Sequence, residues 1–287
     1  MRKHLKIHFY LIAMVLLVLI GAQTVYAKDD CGAAVTTKQE VMQMKASKKK
    51  KPEYRIKKKN GRKICYNRKG KRVRKQFVTI HEKTFYFGAN SVMQKGWIKV
   101  KGEYYYLDRS SGQLQKNCKV DGIKLRKSGK AVKTEYNVKK ITTMMTAREI
   151  MTKNTKFTDT KQQKLMKMFM WVMKHPYKRY RTIRSARVNK GWEMVFANDV
   201  YKSGQGCCVS EACAFAFLAH ECGYKDVYVC DDTGHAWTEI NGKVYDTLFA
   251  EAKNGGSYEH PDFKHYYGAS YSVAKLYHGP LMGKKKI

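Results

Sequence analysis

The chain has 287 residues and carries 58 Lys and Arg against 23 Asp and Glu, a formal charge of +35. That length accommodates two modest domains. A soluble protein this basic needs an anionic neighbourhood, and no apolar run after the first is long enough to span a membrane.

The N-terminus places Arg2, Lys3 and Lys6 ahead of an apolar stretch from Phe9 to Ala22, followed by Val25-Tyr26-Ala27. This order predicts a secretory signal peptide, residues 1–27, cut after Ala27. An uncleaved anchor is the competing reading, but the run is short for a bilayer. Lys28-Asp29-Asp30 precedes Cys31, which is not a lipidation context. Losing residues 1–27 removes three positive charges and lowers +35 to +32. Nucleic acid is the usual partner of a basic chain. Export points away from it, toward the anionic polymers of a bacterial cell wall or an anionic membrane surface. Residues 28–59 are polar, with runs at Lys48 to Lys51 and Lys57 to Lys59. They predict a disordered basic linker, either an electrostatic tether or a solvated spacer.

Residues 60–135 repeat. Tyr66-Asn67-Arg-Lys-Gly70, Phe87-Gly88-Ala-Asn90, Leu107-Asp108-Arg-Ser-Ser-Gly112 and Leu125-Arg126-Lys-Ser-Gly129 recur every 17 to 21 residues. Each unit reads as two short strands, and Lys99 to Leu107, turning at Gly102, is the clearest hairpin. A lone hairpin cannot bury its apolar face, so the units must stack into an all-β solenoid. Gly96-Trp97-Ile-Lys-Val-Lys-Gly102-Glu-Tyr104-Tyr105-Tyr106-Leu107-Asp108 resembles a cell-wall-binding repeat of the choline-binding type. That resemblance implies ligand sites lined by rings of neighbouring hairpins, which hold quaternary ammonium by cation–π attraction. Trp97, Tyr104 and Tyr106 are the wall-binding candidates, and packing of the solenoid core is their alternative role. Trp97 is the only Trp of the array, and its first and last units are rich in Lys and Arg. An anionic wall polymer therefore fits better than choline.

Residues 136–287 read as an α+β domain. Asn137 to Met151 reads as a short transition. Leu165, Met168, Phe169, Val172 and Met173 stand three and four apart, which predicts an amphipathic helix from Lys161 to Lys174, capped by Thr158-Asp159-Thr160. Tyr177 to Lys190 is very basic, either a groove wall or a solvated loop. Gly204 and Gly206 then lead into an apolar run from Val209 to Leu218, a buried helix with Cys207 and Cys208 at its N-terminal end. The unpaired N–H groups and partial positive charge there favour a thiolate. Lys225 to Cys230, His235 to Ile240 and Lys243 to Leu248 are β-type runs, the last two joined by Asn241-Gly242. That hairpin pairs Ile240 with Lys243 and Thr238 with Tyr245, which brings Asp246 within reach of His235.

Ala197, Gly206, Cys208-Val-Ser-Glu-Ala212, His235-Ala236-Trp237 and Tyr245-Asp246 resemble, in order and spacing, the transglutaminase-like (papain-like cysteine enzyme) superfamily. The resemblance implies a papain-like core of helices and antiparallel sheet, with a triad of Cys208, His235 and Asp246. Cys208 fits the Cys-x-x-x-Ala spacing, and Cys207 is the competing nucleophile. His235 would take the thiol proton and Asp246 would hold the imidazole. Gln205 is a weak candidate for the oxyanion hole, beside the Cys208 N–H. No cofactor is called for. A zinc set of Cys207, Cys213 and His220 lacks paired ligand spacing, so no metal is expected. Of the other cysteines, Cys222 and Cys230 could close a short disulfide loop.

The expectation is a secreted, wall-associated cysteine enzyme of a Gram-positive-type bacterium, a peptidase, amidase or transglutaminase. Its expected partners are an anionic wall polymer, held by the repeats and linker, and a protein or peptide substrate. No nucleic acid and no membrane span after signal cleavage are expected. The alternative is a catalytically silent wall-attached binding protein or adhesin.

Overall fold

The computed structural model describes residues 53–254, 257, 259–274 and 281–287. The expected signal peptide and residues 28–52 of the expected linker lie outside them. Among the described residues no helix is long and apolar enough to cross a membrane.

Four β-hairpins come first. They are β1 (Tyr54–Lys59) with β2 (Arg62–Asn67), β3 (Gln76–Ile80) with β4 (Lys83–Phe87), β5 (Gly96–Val100) with β6 (Glu103–Leu107), and β7 (Lys119–Val120) with β8 (Ile123–Lys124). The turns Asn60-Gly61, His81-Glu82, Lys101-Gly102 and Asp121-Gly122 all have two residues at positive φ. That is the turn hand that matches strand twist, and Gly supplies its second position without strain in three of the four. The segment after a hairpin bonds back to the hairpin before it. Met93 N donates to Lys63 O, Leu114 N to Thr84 O, and Ala131 N to Tyr104 O. Stacking by this route buries Cys65, Val73, Val78, Phe87 and Met93 between the first two units. The last six residues of the expected linker form β1, because Tyr54 and Ile56 alternate onto that apolar cluster.

Among the described residues, six α-helices and a five-stranded sheet follow. The helices are α1 (Glu135–Asn154), α2 (Lys161–Val172), α3 (Ile183–Ala186), α4 (Trp192–Ser203), α5 (Cys208–Glu221) and α6 (Thr247–Asn254). The strands β9 (Val227–Asp231), β10 (Ala236–Ile240), β11 (Lys243–Tyr245), β12 (Tyr267–Ala269) and β13 (Gly283–Lys286) lie in the order β12-β11-β10-β9-β13, all antiparallel. The result is a mixed α and β fold with antiparallel strands.

α5 is the centre, with every residue buried. Phe215, Phe217 and Leu218 are wholly enclosed, and each such side chain stabilises the fold by about 1.5–3 kcal/mol. α2 starts where Thr160 and Gln163 cap each other reciprocally, and it ends ahead of Pro176. The stretch read as a transition is instead the 20-residue α1, capped by Thr134. Its buried stripe of Ile141, Met144 and Ala147 is diluted by the buried Lys140 and Thr143 between them, which blurs the helical period.

The third and fourth hairpins share a core with the helices. Trp97, Tyr104, Tyr106, Ile123 and Leu125 belong to the same buried cluster as Met144, Leu165 and Phe215. Polar contacts reinforce this junction at the C-terminal end of α5. Asp121 accepts from Trp97 Nε1 at 2.7 Å and meets His220 Nε2 at 3.1 Å. Arg109 pairs with Glu221 at 2.8 Å and also donates to the His220 carbonyl. Arg148 of α1 donates to the carbonyls of Lys95 and Trp97. Cys222 and Cys230 do not form the expected bridge. Cys222 faces Met151 Sδ at 3.6 Å and Cys230 faces Glu239 at 3.9 Å, and both are free thiols.

Candidate active site

The turn before α5 is built on a close approach. A Cβ on Gly206 would sit 2.5 Å from Ser210 Cβ and 2.9 Å from Val200 Cγ2, so only glycine fits. Gly206 is pinned to the segment after α2, since its N–H donates to Pro176 O and its carbonyl accepts from Lys178 N at 2.8 Å. Cys207 is then the N-cap in extended backbone, and Cys208 is the first helical residue.

His235 stands just before β10. Its N–H and that of Gly234 donate to Asp232 Oδ1 at 2.7 and 2.8 Å. Thr238 of β10 donates to the Ala212 carbonyl of α5 at 2.8 Å, which fixes the histidine strand against the cysteine helix. Asp246 stands just after β11. The expected register holds, with Thr238 opposite Tyr245 and Ile240 opposite Lys243. The strand ends earlier than expected, because Asp246 Oδ1 accepts from Phe249 N at 3.0 Å and starts α6. Its other oxygen, Oδ2, meets His235 Nε2 at 2.6 Å. The imidazole is stacked on the Phe249 ring at 3.9 Å and 4°. With Nε2 held by Asp246, Nδ1 is the nitrogen left for proton exchange.

Cys208 and His235 line one cleft of 420 Å³ together with Asp232, Tyr177, Arg179 and Phe249. All three expected triad residues are buried, Cys208 and His235 at 7% exposure and Asp246 at 1%. Glu211, one turn along α5, is buried as well. Burial pushes its carboxyl well up, and its hydrogen bond to Thr247 does not offset this. Burial, with the Asp246 carboxylate nearby, shifts Glu211 toward its neutral form.

Cys207 points to a separate polar chain. Its sulfur lies 3.7 Å from Ser210 Oγ. Ser210 donates to Asp199 Oδ2 at 3.0 Å, and Asp199 pairs with Arg181. The neighbouring Cys208 thiol, together with Ser210 and the Val209 and Ser210 N–H groups, pulls Cys207 down to about 5 against the effect of burial. Cys208 moves the other way, raised first by its contact with Cys207 and then by burial, while the N–H groups of Val209 and Ala236 oppose the rise. The contact between the two sulfurs thus lowers Cys207 and raises Cys208.

Gln205 is half-buried and lies outside the cleft lining. Trp97, Tyr104 and Tyr106 are 1%, 3% and 8% exposed, so the rings expected to bind wall ligand are core residues. Trp97 and Tyr106 pack edge to face at 5.1 Å, and the indole N–H is taken by Asp121. Sequence reasoning passed over Asp232, whose turn signal Asp232-Thr233-Gly234 precedes the histidine; Tyr177 and Arg179 come from the basic stretch read as a groove wall or a solvated loop, and they line the cleft. Among the described residues no group of His, Cys, Asp and Glu is placed to hold a metal ion.

A family model, the choline-binding repeat, matches residues 73–118. That span covers the second and third hairpins, so this part of the chain consists of choline-binding-type repeats. No curated protein matches the chain. Among solved structures, the choline-binding domain of Spr1274 from Streptococcus pneumoniae is 29% identical, over 27% of this chain and 93% of that one, with a TM-score of 0.26. Choline binding protein F from Streptococcus pneumoniae is 28% identical over 27% of this chain and 26% of its own length, with a TM-score of 0.26. Truncated alternansucrase from Leuconostoc mesenteroides is 30% identical over 29% of this chain and 7% of its own, with a TM-score of 0.25.

Proposed function

We propose that this chain is a wall-attached cysteine enzyme of the transglutaminase-like class that acts on amide bonds. The observation that carries this reading is the 2.6 Å contact of His235 with Asp246, in a cleft that Cys208 also lines. A cysteine at the start of a buried helix, packed on an antiparallel sheet that supplies His and Asp, is the arrangement a papain-like core requires. The Cys208 sulfur attacks the amide carbonyl while His235 Nδ1 takes the thiol proton. The C–N bond then breaks, the same proton goes to the leaving amine, and a thioester remains on Cys208. Water or a second amine attacks that thioester, giving the acid or a new amide and restoring the thiol. Asp246 balances the imidazolium between the two steps, and the backbone N–H of Cys208 at the helix start is the candidate oxyanion donor.

The repeats support attachment. Residues 73–118 match a choline-binding repeat family model, and stacked hairpins of this kind form a short solenoid. With Trp97, Tyr104 and Tyr106 buried, the partner reading that fits is an anionic wall polymer held by charge. The expected signal peptide makes the protein secreted.

A second reading, a wall-bound binding protein without catalysis, draws on one observation: burial and Cys207 both raise the Cys208 thiol. Brief iodoacetamide treatment at pH 6 to 7, read by mass spectrometry with and without His235→Ala, separates the two. Labelling at Cys208 that depends on His235 supports the enzyme. An inert Cys208 in both proteins sinks the enzyme reading and leaves the binding protein.

A further inference from the structure

We infer that the first hairpin and the loop after it form a binding face for a phosphodiester polymer, with charge and not aromatic rings as the recognising chemistry. The inference deepens the wall-attachment reading and rests on it for the location of the polymer.

Between Glu53 and Lys75 the chain places Arg55, Lys57, Lys58, Lys59, Arg62, Lys63, Arg68, Lys69, Lys71, Arg72, Arg74 and Lys75 on the surface, and every one of them is exposed. Glu53 is the single acid in that stretch. Among the described residues, none of these basic groups is in an ion pair with a carboxylate. Concentrated charge of one sign without internal partners repels itself, and it persists at a fold's expense unless a counter-charge arrives from outside.

The arrangement is ordered by strand geometry. Arg55, Lys57 and Lys59 alternate along one face of β1, because successive side chains of a strand point to opposite faces. Same-face neighbours stand about 6.8 Å apart, twice the strand rise. Across the hairpin on that same side, Arg62 is opposite Lys59, the buried Ile64 is opposite Lys57, and Tyr66 is opposite Arg55. Arg72 is bridged to Tyr66 in turn. Five basic groups therefore share one side of the hairpin around a single ring, and Lys57 Nζ lies over that ring at 5.8 Å. The opposite side carries Tyr54 and Ile56 and is packed on the Cys65 and Val73 cluster. The hairpin is thus held down on one side and presents a row of cations on the other. A row of evenly spaced cations suits evenly spaced phosphates joined by a flexible, uncharged linker.

Other polyanions fit less well. Single-stranded nucleic acid is held by rings that stack on successive bases, and here the one ring is covered by a lysine. A membrane surface is held most firmly when apolar side chains enter it; none of the exposed large apolar residues falls between 53 and 75, although the exposed Phe157 reaches the Gly61 turn. The family-model match begins at residue 73, so this face lies almost wholly outside the matched span.

The test uses the full chain after signal removal and poly(glycerol phosphate) as the probe. Binding is titrated against salt for the parent, for a variant with Arg55→Gln, Lys57→Gln, Lys59→Gln, Arg62→Gln and Arg72→Gln, and for a control with Lys127→Gln, Lys139→Gln, Lys174→Gln, Lys202→Gln and Lys225→Gln. Both variants lose the same charge. The hairpin variant should bind at least tenfold more weakly at 0.15 M salt. Its slope of log K against log salt should fall by about 3.5, at roughly 0.7 for each lost phosphate contact on a flexible strand. The control should bind within about twofold of the parent, and free choline should not displace either. Equal loss in both variants, displacement by choline, or tighter binding to single-stranded DNA or to phosphatidylglycerol vesicles would overturn the inference. Iodoacetamide labelling at Cys208 is measured on the same samples. It should not change in the hairpin variant, so failure of the polymer face and failure of the enzyme reading remain distinguishable.

Discussion

At the scale of single residues, two adjacent thiols shift each other in opposite directions, and their roles can be separated by substitution. Cys208→Ala should abolish turnover and leave the fold intact, since it trims one sulfur at the cleft wall. Cys207→Ala should keep Cys208 reactive. It should also lower the pH midpoint of Cys208 alkylation, because contact with Cys207 is the first cause that holds the Cys208 thiol up. A rate-versus-pH profile with iodoacetamide reads both, and a midpoint that stays or climbs in Cys207→Ala would contradict the assignment. Asp246→Asn keeps an N-cap for α6, as Asn caps about as well as Asp, yet removes the charge beside His235. The expected result is a near-parental melting temperature with turnover reduced on the order of 10²–10⁴-fold. Turnover that stays near the parental rate would instead assign Asp246 to capping alone. Cys208, His235 and Asp246 were legible because their spacing and neighbours form a pattern. Asp232 and Glu211 were not, because a single acid carries no periodic signal and its effect depends on what packs over it.

At the scale of elements, the junction between hairpins and α5 rests on Asp121. Burial raises its carboxyl, but His220, Trp97 and Arg109 outweigh that and hold it down at about 2. A carboxylate depressed in the fold contributes stability above its unfolded value, about 3.9, and that contribution fades as pH falls toward 2. The contribution is on the order of 2 kcal/mol. Denaturation by urea should therefore show a loss of stability between pH 4 and 2, and Asp121→Asn should flatten that interval. An unchanged acid profile in the variant would remove Asp121 from the account. The turns at Gly102 and Asn241-Gly242 were legible; Asn60-Gly61 and Asp121-Gly122 carry the same kind of residue pair, suited to two positive φ angles, but were not read as turns. α1 was the least legible, because buried Lys140 and Thr143 interrupt its apolar stripe. The cap at Asp246 was also hidden, since a β-type run and the start of α6 overlap in sequence.

At the scale of the whole molecule, the sequence reads as a repeat segment and a separate enzyme domain, yet Trp97, Tyr106 and Leu125 are buried in one cluster with Met144 and Phe215. A shared apolar core is invisible to composition, because each ring is equally at home between hairpins or under a helix. Calorimetry of residues 53–287 should give one cooperative transition spanning the last two hairpins and the helices. A fragment starting at residue 136 should melt well below it, having lost the side chains that cover α1 and α5. A fragment as stable as the parent would mean that the shared core contributes little.

The junction of Arg109 and Asp121 with His220 and Glu221 also determines how this molecule bears load. If the basic hairpin is fastened to a wall, any drag on the rest of the chain crosses the third and fourth hairpins and enters α5 at its C-terminal end, with Cys208 at the other end of the same helix. The tether and the reactive thiol are then two ends of one strut. Pulling the chain apart from residue 53 should show the last hairpins yielding together with the cleft, in a single rupture and not as a ladder of small steps.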